Sequence, residues 1–171
     1  VKNILILALD KIGSMRTILY IILPVLLFTN ASAQQARVGC VDKSMRVQAE
    51  QMKHDFKAQG MEVYKDAMLS MKPGQPYPIA VQLTEKELYQ FILVGDGDAG
   101  KIYFELFDGK DHKLAEKVIK KGDGTNFIIY SFMPQKSDIY LVVLTQKVKG
   151  NADVCGSFTI MQKASANGTG Q

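Results

Sequence analysis

The sequence predicts a mainly β protein, an antiparallel β-sandwich of jelly-roll or Greek-key type preceded by a long amphipathic α-helix. Two observations predict the sandwich. About seven runs rich in β-branched and aromatic residues follow one another between residues 79 and 161, and turns rich in Gly, Asp or Pro separate them. No helical pattern interrupts this series, so the crossover helices that a parallel sheet requires are missing. Greek-key connections hide the sheet edges that simple hairpins leave open.

The N-terminal region has the pattern of an export signal. Met15 and Arg16 precede an apolar run over 18–28, and an Ala-Ser-Ala box ends at Ala33. The run is short for a transmembrane helix and contains Pro24. We therefore expect translation to start at Met15, cleavage after Ala33, and a periplasmic or secreted chain with no membrane span once the leader is removed.

Charge and length define the remaining organisation. The formal net charge of the 171-residue chain is +4, and it falls to +2 without the leader, which has three basic residues and one acidic residue. So small an excess does not predict nucleic-acid binding. The predicted parts are an extension with signal peptide over 1–33, an N-terminal segment with the helix over 34–74, the sandwich over 75–163, and a disordered tail over 164–171.

The chain has two cysteines, Cys40 and Cys155. In an exported protein an even number of cysteines indicates a disulfide, which here would tie the start of the domain to its last strand. Two free thiols, or a Cys40 linked to a partner, are the alternatives. Two cysteines and two distant histidines do not form a zinc-binding pattern.

An amphipathic helix is expected over 43–71, with Asp42 or Ser44 as its N-cap and a kink or break at Gly60. Apolar residues recur there at spacings of three and four, and many of them are methionines. We predict that this stripe packs on the outside of the sandwich. The alternative is a face that binds a partner or another copy of the chain. The stripe consists of Met45, Met52, Phe56, Val63 and Met68.

The strands are expected over 79–83, 88–94, 102–107, 114–120, 127–133, 139–145 and 154–161. The stretch ELYQFILVGDGDAGKIYFELF places a Gly/Asp turn between two of these strands and predicts a β-hairpin. The strands over 127–133 and 139–145 are apolar on both sides and should be central in their sheets. The first strand follows Pro76 and Pro78, so it should lie at an edge.

This strand order resembles the bacterial pre-peptidase C-terminal type of β-sandwich. The motif Phe107-Asp108-Gly109 and the segment over 132–144, with its Pro134 and Tyr140, are similar to motifs of that family, although the glycine expected before the tyrosine is missing. The chain also resembles a group of small exported proteins of Bacteroidetes-type bacteria. Membership of the first family would imply an accessory, non-catalytic module.

The motifs of the common enzyme classes are missing. There is no G-x-S-x-G motif, and Gly95-x-Gly97-x-x-Gly100 lies between two strands rather than before a helix. Paired turn aspartates are the residues that a small hydrolase would use. Calcium is the cofactor that hard oxygen ligands would favour, although Asp is also common in turns for backbone reasons. The candidate ligands are Asp96, Asp98, Asp108, Asp111 and Asp123.

We therefore predict an exported, non-catalytic module that binds a protein or a component of the cell envelope. The alternative is a carbohydrate- or calcium-binding module. A sugar site would have to use tyrosines as stacking platforms, since the chain has no Trp. The candidate platforms are Tyr89, Tyr103, Tyr130 and Tyr140.

Overall fold

The structure is a computed structural model that describes residues 40, 42–150 and 152–163. The predicted signal peptide and C-terminal tail lie outside these residues. In the described part, one α-helix is followed by eight strands. The elements are α1 (Lys43–Ala58), β1 (Met61–Met71), β2 (Tyr77–Leu83), β3 (Tyr89–Val94), β4 (Lys101–Phe107), β5 (Lys113–Lys120), β6 (Phe127–Phe132), β7 (Asp138–Lys147) and β8 (Val154–Lys163).

The eight strands form two four-stranded antiparallel sheets. Sheet A has the order β1-β8-β3-β6, and sheet B has the order β2-β7-β4-β5. Successive strands thus alternate between the sheets for most of the chain, which is the arrangement of a jelly roll. The predicted fold class is confirmed, and each of the seven predicted strands is present with its ends shifted by at most two residues.

The predicted hairpin is wrong, because its two arms belong to different sheets. β3 pairs with β6 and β8, whereas β4 pairs with β5 and β7. The Gly/Asp-rich segment between them crosses from one sheet to the other at the end of the sandwich. Across the core, the rings of Phe91 and Phe104 lie 5.4 Å apart. Six residues are enough for this crossing, whereas a tight hairpin is typically made by a two-residue turn.

The predicted positions of strands within the sheets are mostly right. β2, with its proline, lies at an edge of sheet B, and β7 is central there. β6 was expected to be central but lies at an edge of sheet A. It is apolar on both sides for two separate reasons. Tyr130 and Phe132 pack against the core between the sheets, and Phe127 packs under the helix on the opposite side.

The predicted helix is correct in its first half and wrong in its second. α1 ends at Ala58, and Gly60 follows it with φ +77°, a left-handed conformation that suits glycine after a helix. Met61–Met71 then forms β1 and pairs with β8 along its whole length. The sandwich therefore begins at Met61 and not at residue 75. Pairing with a long neighbouring strand overrides the helical spacing of the methionines.

The two cysteines are joined in a disulfide, as predicted from their number. The Cα atoms of Cys40 and Cys155 are 5.4 Å apart, which is a normal separation for a disulfide. The bond links the residue that lies two positions before the helix N-cap to β8, the strand next to β1 in sheet A. It therefore holds the start of α1 against the outer face of this sheet.

Candidate functional site

Helix α1 covers the outer face of sheet A. Met45 and Ala49 are buried there against Ile92, Val94 and Met161 of the strands below. Of the predicted stripe, Met52, Phe56 and Met68 are half-buried and pack against the same cluster, whereas Val63 is exposed on β1. The helix thus packs within the molecule, and Met45 is not accessible to a partner.

A buried lysine adds a polar contact under the helix. The ammonium of Lys53 donates to Asp66 on β1 at 2.6 Å and to Glu50 at 2.7 Å. Thr159 on β8 donates to the other carboxylate oxygen of Asp66 at 2.7 Å. Burial acts to lower the pKa of Lys53, but the hydrogen bonds to Asp66 and Glu50 outweigh it and raise that pKa above its ordinary value. The charge is therefore paired as buried charges must be, and it fixes the position of α1 on the sheet.

The outer face of sheet B has no helix packed on it in the described part of the chain. We call it the open face. Side chains alternate between the two faces of a sheet, so the residues of each strand that do not point into the core point outward on this face. They are Pro78, Ala80 and Gln82 of β2, Ile139, Leu141, Val143 and Thr145 of β7, Tyr103, Glu105 and Phe107 of β4, and Glu116 and Val118 of β5.

The middle of the open face is largely apolar. Leu141 and Val143 lie on its central strand β7, and β4 places Phe107 opposite Leu141. All three side chains are half-buried by their neighbours. Ile139 is 56% exposed and Val118 is 37% exposed. Apolar residues grouped in this way on the surface are typical of an interaction site.

One end of the open face has a row of three lysines, which we call the lysine row. Lys101 of β4 lies directly opposite Lys120 on one side and Lys147 on the other. Like charges directly opposite each other destabilise a sheet. None of the three has an ion pair within the described residues, and the ammonium of Lys147 lies 5.3 Å from the centre of the Tyr103 ring.

Two carboxylates lie in the middle row of the open face, where Glu105 is directly opposite Val143 on one side and Glu116 on the other. Lys113 pairs with Glu105 at 2.5 Å and with Glu116 at 2.8 Å, and its hydrogen bond to Glu105 is the main reason that its pKa rises to about 12. The adjacent β4–β5 loop brings Asp108 and Asp111. Backbone N–H groups, chiefly that of His112, hold the pKa of Asp108 below its ordinary value.

The five aspartates predicted as calcium ligands fall into two groups at opposite ends of the sandwich. Asp96, Asp98 and Asp123 are in the loops beyond the lysine row, whereas Asp108 and Asp111 are in the β4–β5 loop at the other end. Most of their carboxylates serve their own loops. Asp96 accepts from the backbone of Asp98, Asp108 from Lys110 and His112, and Asp123 from Lys120. Within the described residues, no three acidic, His or Cys side chains are grouped as metal ligands.

The four tyrosines considered as sugar platforms are in different environments. Tyr89 and Tyr140 are buried in the core, and Tyr130 stacks on aromatic neighbours between the sheets. Of the four, Tyr103 alone lies on the open face. The ammonium of Lys147 already lies over its ring, where a sugar would have to stack.

Two of the grooves on the surface of the described part lie beside the two sheets. One, of about 490 Å³, lies between the edges of the two sheets, and its walls include Leu69, Tyr77, Ile79 and Phe158. The other, of about 380 Å³, lies at the lysine end among Asp96, Lys121 and glycine-rich turns. Both are wide open to solvent. Neither contains a histidine, since His54 is on the helix and His112 is in the β4–β5 loop.

The open face was not predicted from the sequence, although a signal for it was present. The apolar residues on both sides of β7 predict a central strand. They also meant that the outer side of sheet B would present Leu141 and Val143 to whatever covers it. Which sheet the helix would cover cannot be read from strand patterns, because both sheets have apolar outer residues.

Comparisons with known proteins show neither a family nor a close relative. No family model and no curated protein match the chain. Among solved structures, a periplasmic inhibitor of g-type lysozyme from Aeromonas hydrophila, PliG, aligns with a TM-score of 0.44 and 12% identity over 61% of this chain and 89% of that one. A CBM4 structure aligns with a TM-score of 0.38 and 11% identity, over 60% and 78% of the two chains.

A third solved structure is a family 29 carbohydrate-binding module in complex with cellulohexaose. It aligns with a TM-score of 0.34 and 15% identity, over 65% of this chain and 81% of that one. All three TM-scores are below one half, which is too low to transfer the activity of any of these proteins to this chain. The candidate site therefore has to be judged from its own geometry. The described part also contains no helix long and apolar enough to cross a membrane.

Proposed function

We propose that this chain is an exported, non-catalytic binding module that recognises a protein through the open face of sheet B. The observation that carries the proposal is that α1 covers the outer face of sheet A and not that of sheet B. Both have apolar outer positions, and α1 covers those of sheet A, whereas no described residue covers Leu141, Val143 and Phe107 of sheet B in the same way. An apolar centre with a charged rim is the composition of a protein–protein interface.

A protein partner suits this face better than a sugar chain. Carbohydrate sites use open aromatic platforms together with hydrogen-bonding side chains. On the open face Tyr103 is already in contact with Lys147, and Glu105 and Glu116 are already paired with Lys113. The remaining centre is mostly aliphatic, which gives little to a hydroxyl-rich ligand and much to an apolar protein surface.

Export is part of the proposal. A disulfide persists in oxidising compartments such as the periplasm or the extracellular space, and Cys40–Cys155 is such a bond. The leader pattern in residues 1–33 points to the same location. A mature chain that begins at Gln34 is the form in which the open face would meet its partner.

Site-specific photo-crosslinking in the producing cell tests the proposed function. The photoreactive benzoyl-phenylalanine would replace Phe107 in the open face, where an aromatic side chain already lies. In a matched control it would replace Val47, which is 62% exposed on the outer side of α1. We expect a protein adduct from the Phe107 position that is lost when Val143→Asp is added, and no such adduct from Val47.

A Phe107 position that forms no protein adduct would contradict the proposal. The same preparation, applied to a glycan array with and without calcium, addresses the alternative. Glycan binding that depends on Tyr103 would replace the protein-binding function with a carbohydrate-binding one. Binding that also requires calcium would point to the turn aspartates.

A further inference from the structure

We propose that the protein recognised by the open face presents carboxylate side chains to the lysine row. This inference rests on the proposed function, because it states the chemistry of the partner of the same face. Three features of the face lead to it. The chain does not neutralise the row, one ammonium group of the row is held over the face, and the row borders the apolar centre.

The lysine row places three positive charges close together. Neighbouring strands are about 4.8 Å apart, so the Cα atoms of Lys120 and Lys147, on the two sides of Lys101, are about 10 Å from each other. All three side chains are exposed. Like charges at directly opposite positions destabilise a sheet, so the row does not serve the isolated fold. A negatively charged surface that covers the row explains it.

The loops next to the row contain three aspartates, and each of these has another contact. Asp98 pairs with Lys121 at 3.3 Å. Asp96 and Asp123 each accept a 2.8 Å hydrogen bond from a backbone N–H group, that of Asp98 and that of Lys120. In the described part of the chain, none of the three carboxylates forms an ion pair with an ammonium group of the row. The row therefore keeps its charge.

The two glutamates of the open face are too far along the strands to neutralise the row. Glu105 is four positions from Lys101, and Glu116 is four positions from Lys120, which is about 13 Å in each case. Exposed charges that are more than about 8–10 Å apart are largely screened at physiological salt. Both glutamates are also paired with Lys113.

Lys147 joins the row to the apolar centre. Its ammonium lies 5.3 Å from the centre of the Tyr103 ring, in a cation–π contact. Tyr103 lies on the open face, directly opposite Thr145 and Val118. The positive charge is therefore held over the face itself, where a partner packed on the apolar centre meets it. Charges placed in this way select partners of the opposite sign.

Carboxylates of a protein suit the row better than the phosphates of a lipid or polymer. Phosphate recognition often uses the planar fork of arginine or a nest of backbone N–H groups, whereas all basic side chains on the open face are lysines. Beyond the row, Val118, Val143 and Leu141 require an apolar surface as well. A protein with Asp or Glu beside apolar residues provides both chemistries.

Photo-crosslinking of charge variants in the producing cell tests this inference. With benzoyl-phenylalanine at position 107, Lys101→Glu should lower the yield of the protein adduct by about tenfold or more, because it places a negative charge against the carboxylates of the partner. Lys101→Arg keeps the charge and should keep the yield within about twofold. Lys57→Glu, an equal change of charge on an exposed residue of α1, should leave the yield unchanged.

Thermal denaturation of the purified variants provides the folding control. Lys101→Glu should melt no lower than the wild type, since it removes repulsion within the row. A lower melting temperature would show that the row stabilises the fold, and would overturn the inference.

A second photoreactive position identifies what the row contacts. Benzoyl-phenylalanine in place of Tyr103 keeps an aromatic ring next to the row, and mass spectrometry of the adduct gives the sequence of the partner peptide. We expect Asp or Glu in that peptide. Lysine in place of one of these acidic residues should restore the adduct of Lys101→Glu to within about threefold of the wild-type yield. A peptide without acidic residues would contradict the inference.

The remaining outcomes separate this inference from the proposed function. A position 107 adduct that Lys101→Glu does not weaken would overturn the inference and leave the proposed function standing. Sedimentation of the wild type with phosphatidylglycerol vesicles, lost in Lys101→Glu, would assign the row to a lipid surface and would also overturn it. The absence of any protein adduct from position 107 would overturn both.

Discussion

Gln146 donates a 2.7 Å hydrogen bond from its side-chain Nε2 to the backbone carbonyl oxygen of Cys155, across the interior of the sandwich. Its Oε1 accepts a second bond of 2.7 Å from the backbone N–H of Asp96. Gln146 is fully buried, and two glycines leave room for it. A Cβ atom on Gly156 would lie 3.0 Å from Nε2, and one on Gly95 would lie 2.9 Å from Oε1. One amide thus connects β7 of sheet B to β8 of sheet A.

Replacing this amide with an apolar side chain should destabilise the fold. We expect Gln146→Leu to lower the free energy of unfolding by about 2 kcal/mol, because the backbone groups of Asp96 and Cys155 lose a partner in a buried place. Urea denaturation measures the change. Gln135→Leu, in the exposed β6–β7 turn, should change it by less than about 0.5 kcal/mol. Equal stabilities of the two variants would show that the crossing amide contributes nothing.

The disulfide should contribute more to the free energy of unfolding than any single side chain does. Cys40 and Cys155 are 115 residues apart in the sequence, and the entropy of closing so long a loop predicts about 4–5 kcal/mol for the bond. Cys40→Ser with Cys155→Ser should therefore lower the melting temperature strongly. Peptide mapping without reductant should identify the linked pair in the natural protein. Quantitative labelling of both thiols in that protein would contradict the bond.

The packing of α1 can be tested with a matched pair on the same helix. Met45 is 3% exposed on the side of the helix that faces sheet A, whereas Val47 is 62% exposed on the outer side of the helix. Met45→Ala should cost about 2–3 kcal/mol of unfolding free energy, as expected for removing a buried Met side chain. Val47→Ala should be close to neutral. A similar loss for the two variants would mean that α1 does not pack on sheet A in solution.

Phe56→Asp is a harsher test of the same packing. Phe56 is half-buried against the cluster under α1, so a charge there would be only partly desolvated. We expect a loss of roughly 3 kcal/mol if the carboxylate finds no partner. Unchanged melting together with the loss of an assembly would make the helix, rather than the open face, the interaction surface.

The strands and the cysteine pair could be predicted because their signals are local or compositional. Runs such as 102–107 have period-two alternation and lie between turn residues, and two cysteines allow one intramolecular bond. The prediction that the helix continues to residue 71 is wrong for a physical reason. Met61, Met68 and Met71 fit a helical spacing, but β8 provides a pairing partner along the whole of β1. Tertiary pairing of this kind cannot be seen in local spacing.

The failure of the hairpin prediction shows the limit of turn chemistry. A Gly/Asp loop between two strands is compatible with a hairpin in one sheet or a crossing between two sheets. The choice depends on what else pairs with each strand. β3 has β6 and β8 as neighbours, so no edge of it is left for β4. For the same reason the open face could not be predicted, since its existence depends on where α1 packs.

The helix N-cap gives a prediction about pH. Asp42 accepts hydrogen bonds from the backbone N–H of Met45 at 2.9 Å and from the hydroxyl of Ser44 at 2.7 Å. The bond from Met45 is the main cause that lowers the pKa of Asp42 below its ordinary value of 3.8. A carboxyl group whose pKa is lower in the folded state stabilises the folded protein at pH values above the pKa that the group has in the unfolded chain. This stabilisation is lost as the pH falls through the folded pKa.

We therefore expect Asp42→Asn to be less stable than the wild type at neutral pH and to approach it in acid. Asparagine keeps the capping hydrogen bond but loses the negative charge near the positive end of the helix dipole. The interaction of that charge with the dipole is worth about 0.3–1 kcal/mol. The difference in unfolding free energy should be constant from pH 7 to about pH 5, and should shrink below pH 4 because only the wild type then takes up a proton at this site. Asp42→Ala, which loses the cap itself, should cost about 1 kcal/mol at neutral pH. Denaturation curves of the three proteins between pH 7 and pH 2 measure these differences. A gap between wild type and Asp42→Asn that stays constant or widens in acid would mean that the charge of Asp42 does not stabilise α1.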